Sequence, residues 1–216
     1  MAYHGYIPFI HQVAKLFEEP IILEIGILSG ITTISLASRL SKTHEKFLYE
    51  GVDILVRRDV VETIGYMGVA SDSVLLYEQN SLEFLKNCKN IYDIVLIDGD
   101  HNYFTVKGEL EHLKKITHQH SLVVVDDYYG KWAEKDDFYS EKKEYSKVNM
   151  ATKRVASESE GVKPAVDQFL SENPEWSSFS LMTGDAIILM QKDAEWRPRR
   201  IDGLQDPSPI APWDSK

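Results

Sequence analysis

The chain predicts an α/β fold: a doubly wound, mostly parallel sheet with helices on both faces and an antiparallel strand pair at its C-terminal end. Three observations carry this. Short apolar runs alternate with helix-spaced segments between residues 21 and 127. A glycine turn joins the first of these runs to the first helix behind it. Acids (Glu24, Asp53, Asp98, Asp126) stand where the runs end. In such sheets ligands sit beyond the carboxyl ends of the strands, so these acids share one edge of the sheet with a binding site.

In chain order, Phe9, Ile10, Val13, Leu16 and Phe17 have helical spacing, and Pro20 ends that helix. Ile21-Ile22-Leu23 is a short buried strand. The turn Glu24-Ile25-Gly26-Ile27-Leu28-Ser29-Gly30 follows, then a helix over 32–40. Gly26 permits a tight turn and a close ligand, and amides at the helix start can receive an anion. A plain strand-to-helix turn with a helix-facing Gly30 explains the same residues. The turn is Glu-x-Gly-x-x-x-Gly, and Leu28 stands where the dinucleotide fingerprint has its central glycine.

Residues 47–53 form a second strand ending in Asp53, about twenty residues past the glycine loop, where doubly wound folds place an acid against ribose hydroxyls. A turn or capping acid is the alternative. Residues 74–77 form a third strand, followed by Asn80-Ser81 and a helix over 82–86. Ser81 is the expected N-cap, and Asn80 either caps or reaches a ligand.

The fourth strand, Asp93-Ile94-Val95-Leu96-Ile97, runs into Asp98-Gly99-Asp100-His101. After a helix over 102–116, Leu122-Val123-Val124-Val125 repeats the design and runs into Asp126-Asp127. Neighbouring parallel strands would crowd these carboxylates along one edge. They then need a bound cation, or some must stay protonated. We read them as holding a divalent metal beside a bound cofactor. His101 is either a proton acceptor, with an ordinary pKa near neutrality, or a residue that only steadies the Asp98 loop. Asp126 and Asp127 are alternatively turn acids, and Asp100 is a supporting residue or a helix cap.

Residues 130–160 are rich in Lys, Glu, Asp, Ser and Tyr, and form either a charged surface excursion or a lid. Tyr128, Tyr129, Trp132 and Tyr139 place aromatics where a substrate would lie. A helix over 161–170 and strands over 178–182 and 186–190 complete a single domain at 1–192. Residues 193–216 are a Pro-rich extended tail that Trp196 or Trp213 ties to the body.

The net charge of −10 gives no basic face for nucleic acid and disfavours anionic membranes. Cys88 is the only cysteine, which excludes an intrachain disulfide or a cysteine zinc cluster and fits a reducing, cytoplasmic setting. The N-terminus lacks a signal-peptide pattern, and no run is long enough to span a bilayer.

Together these residues resemble a class I S-adenosylmethionine-dependent methyltransferase over 21–190. Glu24-x-Gly26-x-x-x-Gly30 resembles that superfamily's first motif, and Asp53 its ribose-binding acid. The runs Ile97-Asp98-Gly99-Asp100-His101-Asn102-Tyr103 and Val125-Asp126-Asp127-Tyr128, with Gly161-Val162-Lys163-Pro164-Ala165-Val166, are similar to methyltransferase family 24 and to metal-dependent small-molecule O-methyltransferases. The family's Pro-Gly-Gly turn before the fifth strand is here His118-Gln119-His120.

The resemblance implies Mg2+ or another divalent cation on Asp98, Asp126 and Asp127, with His101 as general base. It implies S-adenosylmethionine bound by Glu24, Gly26, Gly30, Asp53, Asn80, Ser81 and Asp98, with Glu24 reaching the methionine part. The expected activity is O-methylation of a small hydroxylated acceptor, a sugar among the candidates. Dimers are common in the resembling families, so a homodimer is in view. The competing readings are a nicotinamide-dependent oxidoreductase, which the missing glycine disfavours, and a non-catalytic cofactor-binding protein, which the intact acids and His101 disfavour.

Overall fold

The computed structural model describes residues 5–70, 72–157, 159–181 and 184–192. The expected Pro-rich tail and its tryptophans lie outside them, as do Met182 and Thr183 of the expected final turn. Seven strands form one sheet: β1 (Ile21–Ile25), β2 (Leu48–Asp53), β3 (Val74–Glu78), β4 (Tyr92–Ile97), β5 (Thr117–Val125), β6 (Trp176–Ser180) and β7 (Ile187–Gln191). Their order is β3-β2-β1-β4-β5-β7-β6, with β7 antiparallel to both neighbours and the other pairs parallel. The doubly wound, mostly parallel sheet with an antiparallel C-terminal pair is thus the fold the sequence predicts. The chain reverses its direction of travel between β1 and β4, and that switch point opens a crevice at the strand ends.

Alternation along the strands builds two cores. Ile22, Ile94, Leu96, Val124 and Ile188 face α1 (Ile7–Ala14) and α2 (Ile31–Leu40). Leu23, Ile25, Val95, Ile97, Val123 and Leu189 face α4 (Ser81–Asn87), α5 (Tyr103–Glu111), α6 (Leu113–Ile116) and α7 (Val162–Glu172). Every residue of β4 is buried, as a central parallel strand requires. Among the described residues, no helix is long and apolar enough to cross a membrane.

The structure differs from the expected elements in four places, each with a local reason. Helix α3 (Arg58–Tyr66) was not expected: its apolar stripe, Val60, Val61 and Ile64, is short, and only Val60 is buried. The helix expected over 102–116 is two helices, α5 and α6, meeting at His112. Strand β5 begins five residues earlier than its apolar run, at Thr117 rather than Leu122. The extra residues include His118, whose Nε2 lies 2.8 Å from Oδ1 of the buried Asp93, where the β4–β5 register shifts. Strand β6 starts at Trp176 rather than 178, because the buried Trp176 ring packs against Phe169.

Gly26 is the tightest point of the architecture. Its φ is +94°, and a Cβ there would lie 2.0 Å from the carbonyl oxygen of Asp98 and 2.7 Å from Cα of Gly99. Both are backbone atoms and cannot turn away. Gly26→Ala should therefore cost about 3 kcal/mol or more, combining overpacking with left-handed strain. Urea unfolding checks this; a loss within about 1 kcal/mol would mean the two loops separate easily.

Candidate active site

The crevice is built from loops that follow β1, β2, β3 and β4. Gly26, Asp53, Asn80, Asp98 and Asp100 line it, and Leu28 and Ile54 add apolar wall. Adjacent backbones hold these loops in register: Gly26 N–H donates to Val52 O at 2.8 Å, and Asp98 N–H to Ile25 O at 2.8 Å. Gly30 caps α2 with φ +72°, and a Cβ there would lie 2.6 Å from Val60 of α3. Gly30 thus packs the unexpected helix against the glycine loop.

Both carboxylate oxygens of Asp53 are bound to backbone. Oδ2 accepts from the amides of Ile27 (2.7 Å) and Leu28 (2.9 Å), and Oδ1 accepts from Leu55 N–H at 2.9 Å. Asp53 therefore fixes the loop in which Leu28 itself adopts φ +46°. Oδ1 retains a second lone pair, enough for one ribose hydroxyl.

Glu24 lies deeper than expected. It is buried and is not among the residues that line the crevice; its Oε2 accepts from Thr33 and, at 2.8 Å, from the Tyr49 hydroxyl. Burial raises its pKa to about 7. The structure therefore gives Glu24 two hydroxyl partners inside the core, at the base of the glycine loop.

Asn80, not Ser81, is the N-cap of α4. Its Oδ1 accepts from the amides of Leu82 (3.0 Å) and Glu83 (3.4 Å). Its Nδ2 donates to Met150 O (2.9 Å) and Thr152 Oγ1 (3.1 Å), so both ends of the amide are engaged. The Ser81 hydroxyl donates to Glu109 Oε1 at 2.6 Å. Glu109 is buried, its Oε2 has no partner among the described residues, and burial raises its pKa to about 8.

The acid-rich edge assembles as the sheet order requires, since Ile97 pairs with Val125 and so sets Asp98 beside Asp126. Burial and the charge of Asp126 push the Asp98 carboxyl well above the usual carboxylate range. Tyr6, just before α1, is a member that sequence reading missed; its hydroxyl donates to Asp98 Oδ2 at 3.2 Å. No motif marks it, because it reaches the site from a distant part of the chain. His101 is buried, with Nε2 3.9 Å from Asp98 Oδ1 and Nδ1 3.6 Å from Asp127 Oδ2. Burial lowers its pKa, against the opposing pull of Asp127, Asp126 and Asp137. Asp127 sits at φ +56° and accepts from Lys131 N–H at 3.1 Å. Asp100 turns toward the segment 130–160, accepting from Tyr139 N–H at 3.1 Å, and burial raises its pKa to about 6. Among the described residues, no group of three His, Cys, Asp or Glu side chains is arranged to hold a metal ion. Of the expected set, Asp98 and Asp126 are neighbours, Asp126 also acts on Asp127, and Asp127 faces His101 and the Lys131 amide.

The segment 130–160 is neither a helix nor a detached excursion. It folds back over the crevice through two short 3-10 turns, Tyr139–Glu141 and Lys143–Tyr145. Asp136 Oδ1 accepts from Tyr103 N–H and Gly161 N–H, both at 2.8 Å, which pins its base.

Strand order, glycine loop and acid edge define a class I methyltransferase architecture. Residues 23–128 match the family model Methyltransf_24, a methyltransferase domain, and this stretch is a domain of that S-adenosylmethionine-dependent class. No curated protein matches the sequence. Solved structures share the fold at low identity. TomG from Streptomyces achromogenes, an O-methyltransferase of tomaymycin synthesis crystallised with SAM, is 16% identical, with TM-score 0.58 over 88% of this chain and 81% of that one. The SAH-bound methyltransferase PaMTH1 of Podospora anserina is 18% identical, with TM-score 0.60 over 89% and 80%. CalS11, a TDP-rhamnose 3'-O-methyltransferase of calicheamicin biosynthesis, is 14% identical, with TM-score 0.60 over 87% and 77%.

Two expectations follow. Asp53→Asn turns an acceptor into a donor facing backbone amides, and should cost about 1–3 kcal/mol in urea unfolding; an unchanged midpoint would remove Asp53 as the loop's anchor. Glu109 holds its proton in the folded chain up to about pH 8. The unfolded chain releases it near pH 4.3, roughly the free glutamate value. Its contribution to stability is therefore full below that pH and is lost as pH rises toward 8. Glu109→Gln should flatten this fall in urea titrations at pH 5 and pH 8, and parallel profiles for both proteins would contradict it.

Proposed function

We propose that the protein transfers the methyl group of S-adenosylmethionine to a hydroxyl of a small acceptor molecule. The observation that carries this is the position of His101, buried between Asp98 and Asp127 beside the crevice that Gly26 and Asp53 line. The chemistry of the crevice suits the cofactor. Its apolar wall accepts a base, and Asp53 Oδ1 accepts from a ribose hydroxyl. S-adenosylmethionine, when bound, would supply an electrophilic methyl carbon, with the neutral thioether of S-adenosylhomocysteine as the leaving group.

Methyl transfer is an in-line displacement, so these residues act mostly by alignment. A protonated hydroxyl is a weak nucleophile. The neutral imidazole of His101, kept neutral by burial, takes the hydroxyl proton as the bond to carbon forms. The imidazolium that results lies 3.6 Å from Asp127 Oδ2, and its charge favours the ionised form of that carboxyl. Tyr6 donates to Asp98 Oδ2, while Asp98 Oδ1 lies 3.9 Å from His101 Nε2. Asp98, Asp126 and Asp127 would hold the expected divalent cation, and the proton step runs through the chain's own residues alone.

The acceptor class rests on narrower support. The CalS11 likeness favours a sugar hydroxyl, and the exposed Tyr129 after the acid pair offers a ring face for stacking. The net charge of −10 favours a small molecule over nucleic acid or an anionic membrane, and the reading takes the enzyme as cytoplasmic.

Isothermal titration with S-adenosylmethionine, first with magnesium and then with EDTA, tests the reading. Equal binding in both is expected; no binding by the folded protein in either would refute it, and NADH in the same cell would test the oxidoreductase alternative. With a hydroxylated acceptor panel, His101→Gln should lower kcat about 100-fold or more while leaving cofactor affinity nearly unchanged. Full activity in that variant would remove His101 as the base. Loss of turnover on EDTA treatment would bring the metal into the mechanism.

A further inference from the structure

The sheet order sets the ends of β4, β1, β2 and β3 side by side, so Asp98, Gly26, Asp53 and Asn80 mark successive positions along the crevice. Two more residues of its wall, Tyr139 and Thr152, come from the segment 130–160. That segment is fastened at opposite ends of the crevice. On the β4 side, Asp137 N–H donates to His101 O at 3.0 Å and Tyr139 N–H to Asp100 Oδ1 at 3.1 Å. On the β3 side, Asn80 holds Met150 O and Thr152 Oγ1. The two limbs are also clamped to each other. Arg154 pairs with Glu141 through Nε (2.6 Å) and Nη2 (3.0 Å), and its guanidinium lies 4.8 Å from the Phe138 ring centroid.

We infer that residues 137–154 form a strap across the cofactor crevice, in which Thr152, latched by Asn80, covers the adenosine end and Tyr139 covers the amino-acid end. The assignment of ends rests on the proposed cofactor reading and on the sheet order. With the ribose on Asp53 of β2, the methyl group must reach Asp98 and His101 beyond β4. The base therefore extends the other way, toward β3 and Asn80. Tyr139 then lies over the sulfonium end, next to Asp100. The strap makes Asn80 a fastener of the roof, since its amide has no donor left for a ligand. The variable segment thereby excludes water from the reacting end and sets how fast the cofactor leaves.

The experiment uses the full chain and three ligands: S-adenosylmethionine, S-adenosylhomocysteine and adenosine. Asn80→Asp keeps an oxygen to cap α4 but removes the donor to Met150 and Thr152. Thr152→Val removes the hydroxyl and keeps the volume. Both should weaken all three ligands, about tenfold for S-adenosylhomocysteine, and Asn80→Asp should speed tryptic cleavage at Lys147 or Lys153. Tyr139→Leu should weaken the two complete ligands while adenosine binds as in the wild type. Thermal unfolding of each variant separates these effects from loss of fold. Wild-type affinities in all three variants, for a protein that binds S-adenosylhomocysteine, would overturn the strap and leave the methyltransferase reading standing. A wild-type protein that binds none of the three would overturn the cofactor reading, and the strap's ligand with it.

Discussion

The close approach of the glycine loop to the end of β4 is the constraint on which the rest of the structure depends. Gly26 has no room for a Cβ because the Asp98 carbonyl occupies that space. The contact joins the first and fourth strands at the switch point, where the crevice opens. It also sets the distance between the cofactor loop and the acid edge. Asp53 secures the same loop from the other side by accepting two of its amides. A residue that sequence motifs present as a ligand group is thus equally a structural anchor, and its ligand role depends on the lone pair left over.

The acid edge shows how burial and charge share one problem. Asp98 and Asp126 are side by side, and repulsion and desolvation both oppose full ionisation of the pair. The structure answers with a proton-favouring environment at Asp98, a hydroxyl donor from Tyr6 and the imidazole of His101 within 4 Å. The third acid, Asp127, has a left-handed backbone, accepts from the Lys131 amide and faces His101 from the other side.

Polar groups buried beneath the crevice follow the same logic. Glu24 and Glu109 are taken out of water and keep their protons to higher pH. Each is tied to a hydroxyl, Thr33 and Tyr49 for the first and Ser81 for the second. Glu24 braces α2 against the sheet, and Glu109 of α5 holds the start of α4. The strap completes the enclosure from above through Asn80 and Asp100.

The sequence by itself determined the sheet, most of its strands and the line of acids at their ends. Those features are written in local patterns: apolar runs that only buried strands tolerate, and turn residues that follow them. It also marked the Asp98-to-His101 loop, because acids behind an apolar strand have no packing explanation. Tertiary structure alone decided which of these side chains meet. Tyr6 joins Asp98 across 92 positions, and Asn80 reaches Met150 and Thr152 across 70 and 72. Helix α3 escaped notice because its apolar stripe is short, and the sequence left residues 130–160 open between a surface excursion and a lid because their order comes from hydrogen bonds to distant loops rather than from an apolar period. Hydrophobic periodicity is a property of neighbours in the chain; the partner of a polar atom is a property of the folded arrangement, and no local pattern carries it.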